Sequence, residues 1–346
     1  MSYSKMLRAS LMVMLVMLTV AACTNADDTE PKATPTPIAV KLFTVVPQVY
    51  LAGYMGADQE NYFEQENLSS EILFTHSALE LDFSEVLAKV AAGEGQFGIA
   101  SADSILVARE QGLPIVALAS IYQEDPTSII SLASKNIAQP ADLEGKEFVV
   151  WSFERPLRLF AHVAGLDMEQ VGVVYPPQGS TAQGSTMFIT GEVDGMVVDW
   201  TATAVQATAG GVVFDVLTFS DFGFVGYPCL LFTTEEMIQN QPDVVQHFVN
   251  AFVRGMQYAV QHPDEMLTWF VENYNDDLFP QQRVTDPKVM EAIAPFIAPP
   301  DSQPGVMDEG TWQTIHDTMV EAGMLTTTDV RHAYTRLFVN AYYKND

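Results

Sequence analysis

QFGIASADSILVAREQGLPIVALASI, residues 96–121, sets two short apolar runs on either side of a stretch with helical spacing. Gln96 to Ala100 reads as a strand, Asp103 to Gln111 as a helix and Ile115 to Ile121 as a second strand. That alternation predicts an α/β fold with parallel sheets. It continues in both directions. Upstream, Ala39 to Phe43 reads as a strand, Val49 to Gln65 as a helix, Glu71 to Phe74 as a strand and Phe83 to Ala92 as a helix. Downstream, residues 128–133 and 147–151 read as strands of another sheet, followed by helices near Leu157 to Ala164 and Ala182 to Gly191. Gly195 to Asp199 is a buried-strand run that ends on an acidic residue and Trp200. Cys229 to Phe232 then leads into helices at Pro242 to His262, Pro263 to Tyr274, Pro287 to Phe296, Asp308 to Ala322 and Thr328 to Tyr343. Proline at several first-turn positions fits helix starts.

The first residues have another character. Lys5 and Arg8 precede an apolar run from about Leu11 to Val20, which closes on small residues before Cys23. Those are the parts of a secretory leader, residues 1–22. The run is about half the ~20 apolar residues that a spanning helix needs. Leu18-Thr19-Val20-Ala21-Ala22-Cys23 resembles a bacterial lipobox, although valine stands where leucine is commoner. The resemblance implies that Cys23 takes a lipid and becomes the new N-terminus. Residues 23–37 are polar, acidic and proline-bearing, the composition of a spacer that cannot bury a core. The chain would therefore be held at the cell membrane on its extracytoplasmic side.

Charge excludes one class of partner. The 346 residues carry 16 basic and 44 acidic side chains, and two of the basic ones fall in the leader. Phosphate backbones need basic surface, so a nucleic-acid partner is disfavoured, as is an anionic lipid surface. With 48% hydrophobic residues the chain can build one large or two medium lobes. Only Cys229 remains beyond the tether, so the fold must stand on its core without a disulfide.

Several short stretches carry a family resemblance. They are LAGYMGADQENYFEQENL at 51–68, VAAGEGQFGI at 90–99, AREQGLPIV at 108–116, LEGK at 143–146, GEVDG at 191–195 and NQPDVVQHF at 240–248. In this order and spacing they resemble the substrate-binding proteins of ABC importers, in the family that includes sulfonate binders and binders of thiamine-pyrimidine precursors. The resemblance implies a type II periplasmic-binding-protein fold with two lobes, a hinge and an interlobe ligand cleft. Residues 38–122 and 230–346 would form the first lobe and 123–229 the second. It also implies a monomer that needs no cofactor and binds without catalysing, its closure being read by a permease and an ATPase.

Ligands of open α/β sheets sit beyond the carboxyl ends of the strands. That rule selects the loops at 44–50, 75–77, 101–103, 122–125, 151–155, 199–201 and 222–227. The candidate ligand residues are Val46, Gln48, Tyr50, Ser101, Asp103, Tyr122, Trp151, Glu154, Arg155, Asp199, Trp200 and Tyr227. Trp151, Trp200 and Tyr50 lead among the rings for stacking. Aromatics with a few placed polar groups suit a flat heteroaromatic compound. The loop Thr44 to Tyr50 keeps the proline of the pyrimidine binders' corresponding loop but lacks its Trp, Asn and His. A small anion such as a sulfonate wants cationic groups or helix N-termini, and Arg155 stands amid Glu124, Asp125, Glu154 and Asp199. A neutral ligand fits better. Riboflavin offers a large flat ring system and hydroxyls that can donate to carboxylates, and it is placed ahead of a thiamine-related aminopyrimidine.

Other classes find less in the residues. A pyrimidine synthase of related fold would, by resemblance, use a cysteine-rich iron motif, whereas one cysteine follows the tether. No Gly-x-Ser-x-Gly elbow is present. His76, His162, His247, His262, His316 and His332 lack zinc-binding spacing. A sensor or adhesin on the same tether stays open.

Overall fold

The computed structural model describes residues 36–75, 83–151, 153–176, 181–199, 213–274, 288–326 and 329–345. In chain order it begins with β1 (Ile38–Thr44), α1 (Ala52–Gln59), α2 (Tyr62–Gln65), β2 (Leu68–Phe74), α3 (Ser84–Ala91), β3 (Phe97–Ala100), α4 (Ala102–Glu110) and β4 (Ile115–Ser120). There follow β5 (Thr127–Leu132), β6 (Glu147–Val149), α5 (Glu154–Ala164), β7 (Gly172–Val174), α6 (Thr181–Ile189), β8 (Gly195–Asp199) and β9 (Phe214–Thr218). The rest is β10 (Leu230–Thr234), α7 (Glu235–Asn240), α8 (Pro242–Gln261), α9 (Pro263–Tyr274), α10 (Lys288–Ile297), α11 (Glu309–Glu321) and α12 (Leu337–Asn345). Residues 1–35, with the expected leader, Cys23 and all but the last two residues of the expected tether, lie outside the described residues.

The strands form two five-stranded sheets, ordered β2-β1-β3-β10-β4 and β7-β6-β8-β5-β9. Neither is parallel throughout, which corrects the expectation from sequence. In the first, β1 runs parallel to β2 and β3, while β10 is antiparallel to β3 and β4. In the second, β6 runs parallel to β7 and β8, while β5 is antiparallel to β8 and β9. Both exceptions have one cause. β5 and β10 are the strands that arrive directly from the other sheet, through residues 121–126 and 219–229. The parallel strands all end at the boundary between the sheets. A strand entering from that boundary without a crossover helix must run the opposite way. The two crossing segments also lie side by side, with the Ile121 N–H donating to the Cys229 carbonyl at 3.0 Å.

Alternation along the strands divides the core. In β6 Phe148 and the following Val150 face one apolar cluster and Val149 another, and in β8 Val197 and its neighbours Met196 and Val198 do the same. The cluster holding Phe148, Val150 and Val197 also includes Phe43, Ala100 and Leu230 of the first sheet, so one apolar core underlies both sheets. The first sheet's other face meets α8, where Phe97 stacks on Phe248 with ring centroids 3.8 Å apart. There α1 and α8 cross backbone to backbone. A Cβ on Gly56 would fall inside contact distance of the Gly255 carbonyl, and one on Gly255 inside that of Gly53.

Two long helices expected from sequence are interrupted. Asn61 takes the left-handed region (φ 55°) and separates α1 from α2, and α1 itself follows a 3-10 turn at Val49–Leu51. In place of the helix expected from 328, the described residues from 329 form a short 3-10 turn, Val330–His332, before α12. Between them the Ala117 N–H donates to the Ala333 carbonyl and Tyr334 bridges to Ala117 at the first sheet's edge. Sheet pairing there replaces helix.

Candidate functional site

A cavity of about 640 Å³ lies where the carboxyl ends of the parallel strands from both sheets meet the amino ends of β5 and β10. Its lining includes Gln48, Tyr50, Ser101, Asp103, Tyr122, Trp151, Glu154, Arg155, Asp199 and Tyr227 of the residues expected from sequence. Val46 is not among the lining residues; its side chain packs on the core and its carbonyl accepts from the Tyr50 hydroxyl at 2.9 Å. Trp200 lies outside the described residues, as do residues 76 and 77, Ser152 and Thr201.

The first-sheet wall is dry. The 3-10 turn after β1 presents Tyr50, whose hydroxyl donates to Val46 and pairs with the Thr44 hydroxyl at 2.9 Å. Burial pushes this phenol far up, with Cys229 adding to the effect, so it stays neutral. Ser101 ends β3 and caps α4 by accepting from the Ser104 N–H. Tyr227 packs its ring near Trp312, 6.1 Å between centroids, and its hydroxyl accepts from the Asp308 N–H at the start of α11. Its polar atom is thus committed to structure, and its contribution to the cavity is apolar. Tyr122 is 1% exposed, and its hydroxyl has no hydrogen-bond partner among the described residues. Burial and then Asp199 hold that hydroxyl well above the usual phenol range.

The second-sheet wall is polar. Trp151 follows β6 and packs against Gly184 of α6, where a Cβ would collide with the indole. Its indole N–H has no hydrogen-bond partner among the described residues. Arg155, in the first turn of α5, donates to Asp103 in the first turn of α4 at 2.5 Å and to Ser104 at 3.1 Å. This pair ties a helix beside one sheet to a helix beside the other. Glu154 accepts from Arg158 at 2.7 Å and from the Tyr175 hydroxyl. The Tyr175 hydrogen bond, then Arg158, keeps its carboxyl below the ordinary range despite partial burial. Each arginine in the lining is therefore already neutralised by a carboxylate.

Between the walls sits Asp125, on the first crossing segment. It is 6% exposed and accepts from the Thr127 N–H at 2.9 Å. Burial, with Asp199 and Asp103 adding, pushes its carboxyl up to about 6. Its carboxylate lies against Gly226 of the second crossing segment, where a Cβ would overlap it. Burial, Asp199 and Asp125 together push the Cys229 thiol far up, so it is protonated and unreactive at neutral pH.

Sequence reasoning included Asp125 in a cleft loop without choosing it as a ligand residue, and it missed Thr127, Arg158, Tyr175 and Cys229. Tyr175 follows β7, a strand the alternation did not reveal. Thr127 and Cys229 stand at the amino ends of β5 and β10, which a rule for parallel strands does not select. Among the described residues no cluster of His, Cys, Asp and Glu could hold a metal, and no helix is long and apolar enough to cross a membrane.

Comparison with known proteins places this geometry. A family model described as NMT1/THI5 like matches residues 48–266. The riboflavin-binding protein RibY of Chloroflexus aurantiacus is 25% identical over 354 residues, covering 96% of this chain and 98% of that protein. The formylaminopyrimidine-binding protein of Halalkalibacterium halodurans is 23% identical, covering 88% of this chain and 90% of its own. Among solved structures, the alkanesulfonate-binding protein SsuA of Xanthomonas axonopodis pv. citri, bound to MOPS, superposes with a TM-score of 0.65 at 16% identity, covering 88% of this chain and all of that one. The fold is that of the periplasmic binding proteins.

Proposed function

Because the chain belongs to the NMT1/THI5-like family, we propose that it is the solute-binding lipoprotein of an ABC importer and that its ligand is riboflavin. The observation that carries the reading is the cleft itself: a cavity of about 640 Å³ with Tyr50, Tyr122 and Trp151 in its lining and both arginines already paired. That volume is in the range for a vitamin-sized ligand. Rings supply stacking surface, and neutralised arginines leave little to attract an anion. Similarity to a riboflavin-binding protein over nearly the whole chain supports the same ligand.

The mechanism is capture by closure. Among the described residues, 121–126 and 219–229 are the covalent crossings between the two sheets, so the lobes 38–122 with 230–346 and 123–229 would hinge there. A ligand touching both walls favours the closed form by its differential affinity, and the permease reads that form. Cys23 would carry the lipid that keeps the domain at the outer face of the cell membrane. Cys23→Ser should then move the protein from the membrane fraction to the soluble one; continued membrane retention would remove the anchor from the account.

A second reading, a thiamine-precursor aminopyrimidine as ligand, is supported by the formylaminopyrimidine-binding relative. A thermal-shift panel of riboflavin, an aminopyrimidine and taurine separates the readings, since a compound bound by the native state alone raises the melting temperature. A rise with riboflavin supports the first. A rise with the aminopyrimidine alone replaces it by the second, and a rise with taurine alone overturns both.

A further inference from the structure

Resting on the reading of the cleft as the site of a flat, neutral heterocycle, we propose that Asp125 determines its specificity: the carboxylate accepts a hydrogen bond from an N–H or O–H of the ligand and turns away the phosphorylated form of the same compound. Asp125 lines the cavity at 6% exposure. Its hydrogen bonds among the described residues come from Thr127, two positions on. No basic side chain among the described residues forms an ion pair with it. The two cations of the lining are occupied elsewhere, Arg155 by Asp103 and Ser104 and Arg158 by Glu154. The cavity wall thus carries Asp103, Asp125, Glu154 and Asp199 against two arginines. An anionic substituent brought into so enclosed a place meets an excess of negative charge at reduced dielectric. A neutral donor instead makes a charge-assisted hydrogen bond.

Two further observations point to the same carboxylate. Tyr122, three residues before it, is 1% exposed, lines the cavity and has a hydroxyl without a hydrogen-bond partner among the described residues. A ligand with a donor and an acceptor on one edge would answer Asp125 and Tyr122 together. Gly226 leaves the space the carboxylate fills, since any side chain there would overlap it. An amide would satisfy Thr127 as well as the acid does, so structure alone does not require the charge. Burial opposes it as well, raising the carboxyl to about 6. A group held against its own solvation in a cleft is a mark of a functional site.

The test is titration of the purified protein and its Asp125→Asn variant with riboflavin and with riboflavin 5′-phosphate at pH 7.5, followed by flavin emission. Charge repulsion in the cleft predicts that wild type prefers the neutral flavin by about 100-fold, and loss of a hydrogen bond to a charged group predicts that the variant binds it about 10-fold or more weakly, with the preference reduced. A melting temperature of the variant at or above that of wild type ensures that the loss is not unfolding. Equal binding of the two flavins by wild type, or a variant that keeps both affinity and preference, overturns the proposal. Failure of wild type to bind either flavin would instead sink the riboflavin reading. The same four titrations with an aminopyrimidine alcohol and its phosphate then decide on Asp125: the same pattern upholds its role, and its absence removes it.

Discussion

On the first-sheet side of the cleft, Tyr50, Ser101, Tyr122, Tyr227 and Cys229 are all less than one-tenth exposed. On the second-sheet side, the side chains of Glu154 and Arg155 are 35% and 38% exposed, and Tyr175 is 56% exposed. Tyr50, Ser101 and Tyr227 spend their hydroxyls on backbone or side chains of their own wall. Glu154, Arg155 and Tyr175 are held by ion pairs and hydrogen bonds at the surface. One wall is therefore a piece of the core that happens to face a cavity. The other is a polar surface that water still reaches, and it is free to rearrange around a ligand in the proposed closure. Substitutions on the first wall should move stability and affinity together, and those on the second should move affinity with little effect on stability.

The largest effect belongs to the dry wall. Tyr122→Ala empties a fully buried ring site and should cost about 3–5 kcal/mol of unfolding free energy in urea titration, besides weakening binding. A cost below about 1 kcal/mol would erase the contrast between the walls. Asp125, between them, gives the next effect and has the opposite sign. Its folded-state value of about 6 lies above the ~3.9 of an unfolded aspartate. The folded protein then binds more protons between those values, so this group's stabilisation is present at low pH and lost as pH rises through about 6. The loss amounts to roughly 2–3 kcal/mol. Comparing wild type with Asp125→Asn from pH 4 to 8 isolates it, because the other carboxylates cancel. The variant should gain on wild type across that window, and parallel curves would show Asp125 to be solvated.

On the wet wall, Trp151→Ala should weaken ligand binding by about 1–3 kcal/mol if the ring stacks, while urea unfolding changes less than for Tyr122→Ala. A stability loss equal to that of Tyr122→Ala would put Trp151 in the core. Smallest is the pair between the walls. Arg155 and Asp103 are partly exposed, and a pair so placed contributes about 0–1 kcal/mol. A double-mutant cycle with Asp103→Asn and Arg155→Gln should give a coupling in that range that fades with salt. A larger, salt-independent value would make the pair a latch.

The apolar runs of β3, β4 and β8 were legible as strands because each is only four to six residues long, too short for a helix, and the loops at their carboxyl ends brought most of the lining into view. β7 escaped because it is three half-buried residues, Gly172–Val174. β9 escaped because it is an edge strand whose burial follows no alternation. The antiparallel entry of β5 and β10 depends on which sheet a strand comes from, and local pattern does not hold that information. Nor does it hold the burial of Asp125: Glu124-Asp125 has the look of a solvated acidic loop, whereas the second crossing segment, passing at Gly226, lies against the carboxylate. Asn61 could have been suspected of ending a helix, since asparagine tolerates the left-handed region better than most residues.

Capture of a flat ligand between the two walls is the activity proposed for the cleft. It is tested most directly by titrating riboflavin into wild type and into Trp151→Ala while following flavin emission. Saturable quenching by wild type at one flavin per chain, much weakened in the variant, is the predicted result. Quenching that is absent from a folded wild type, or identical in the two proteins, would contradict it.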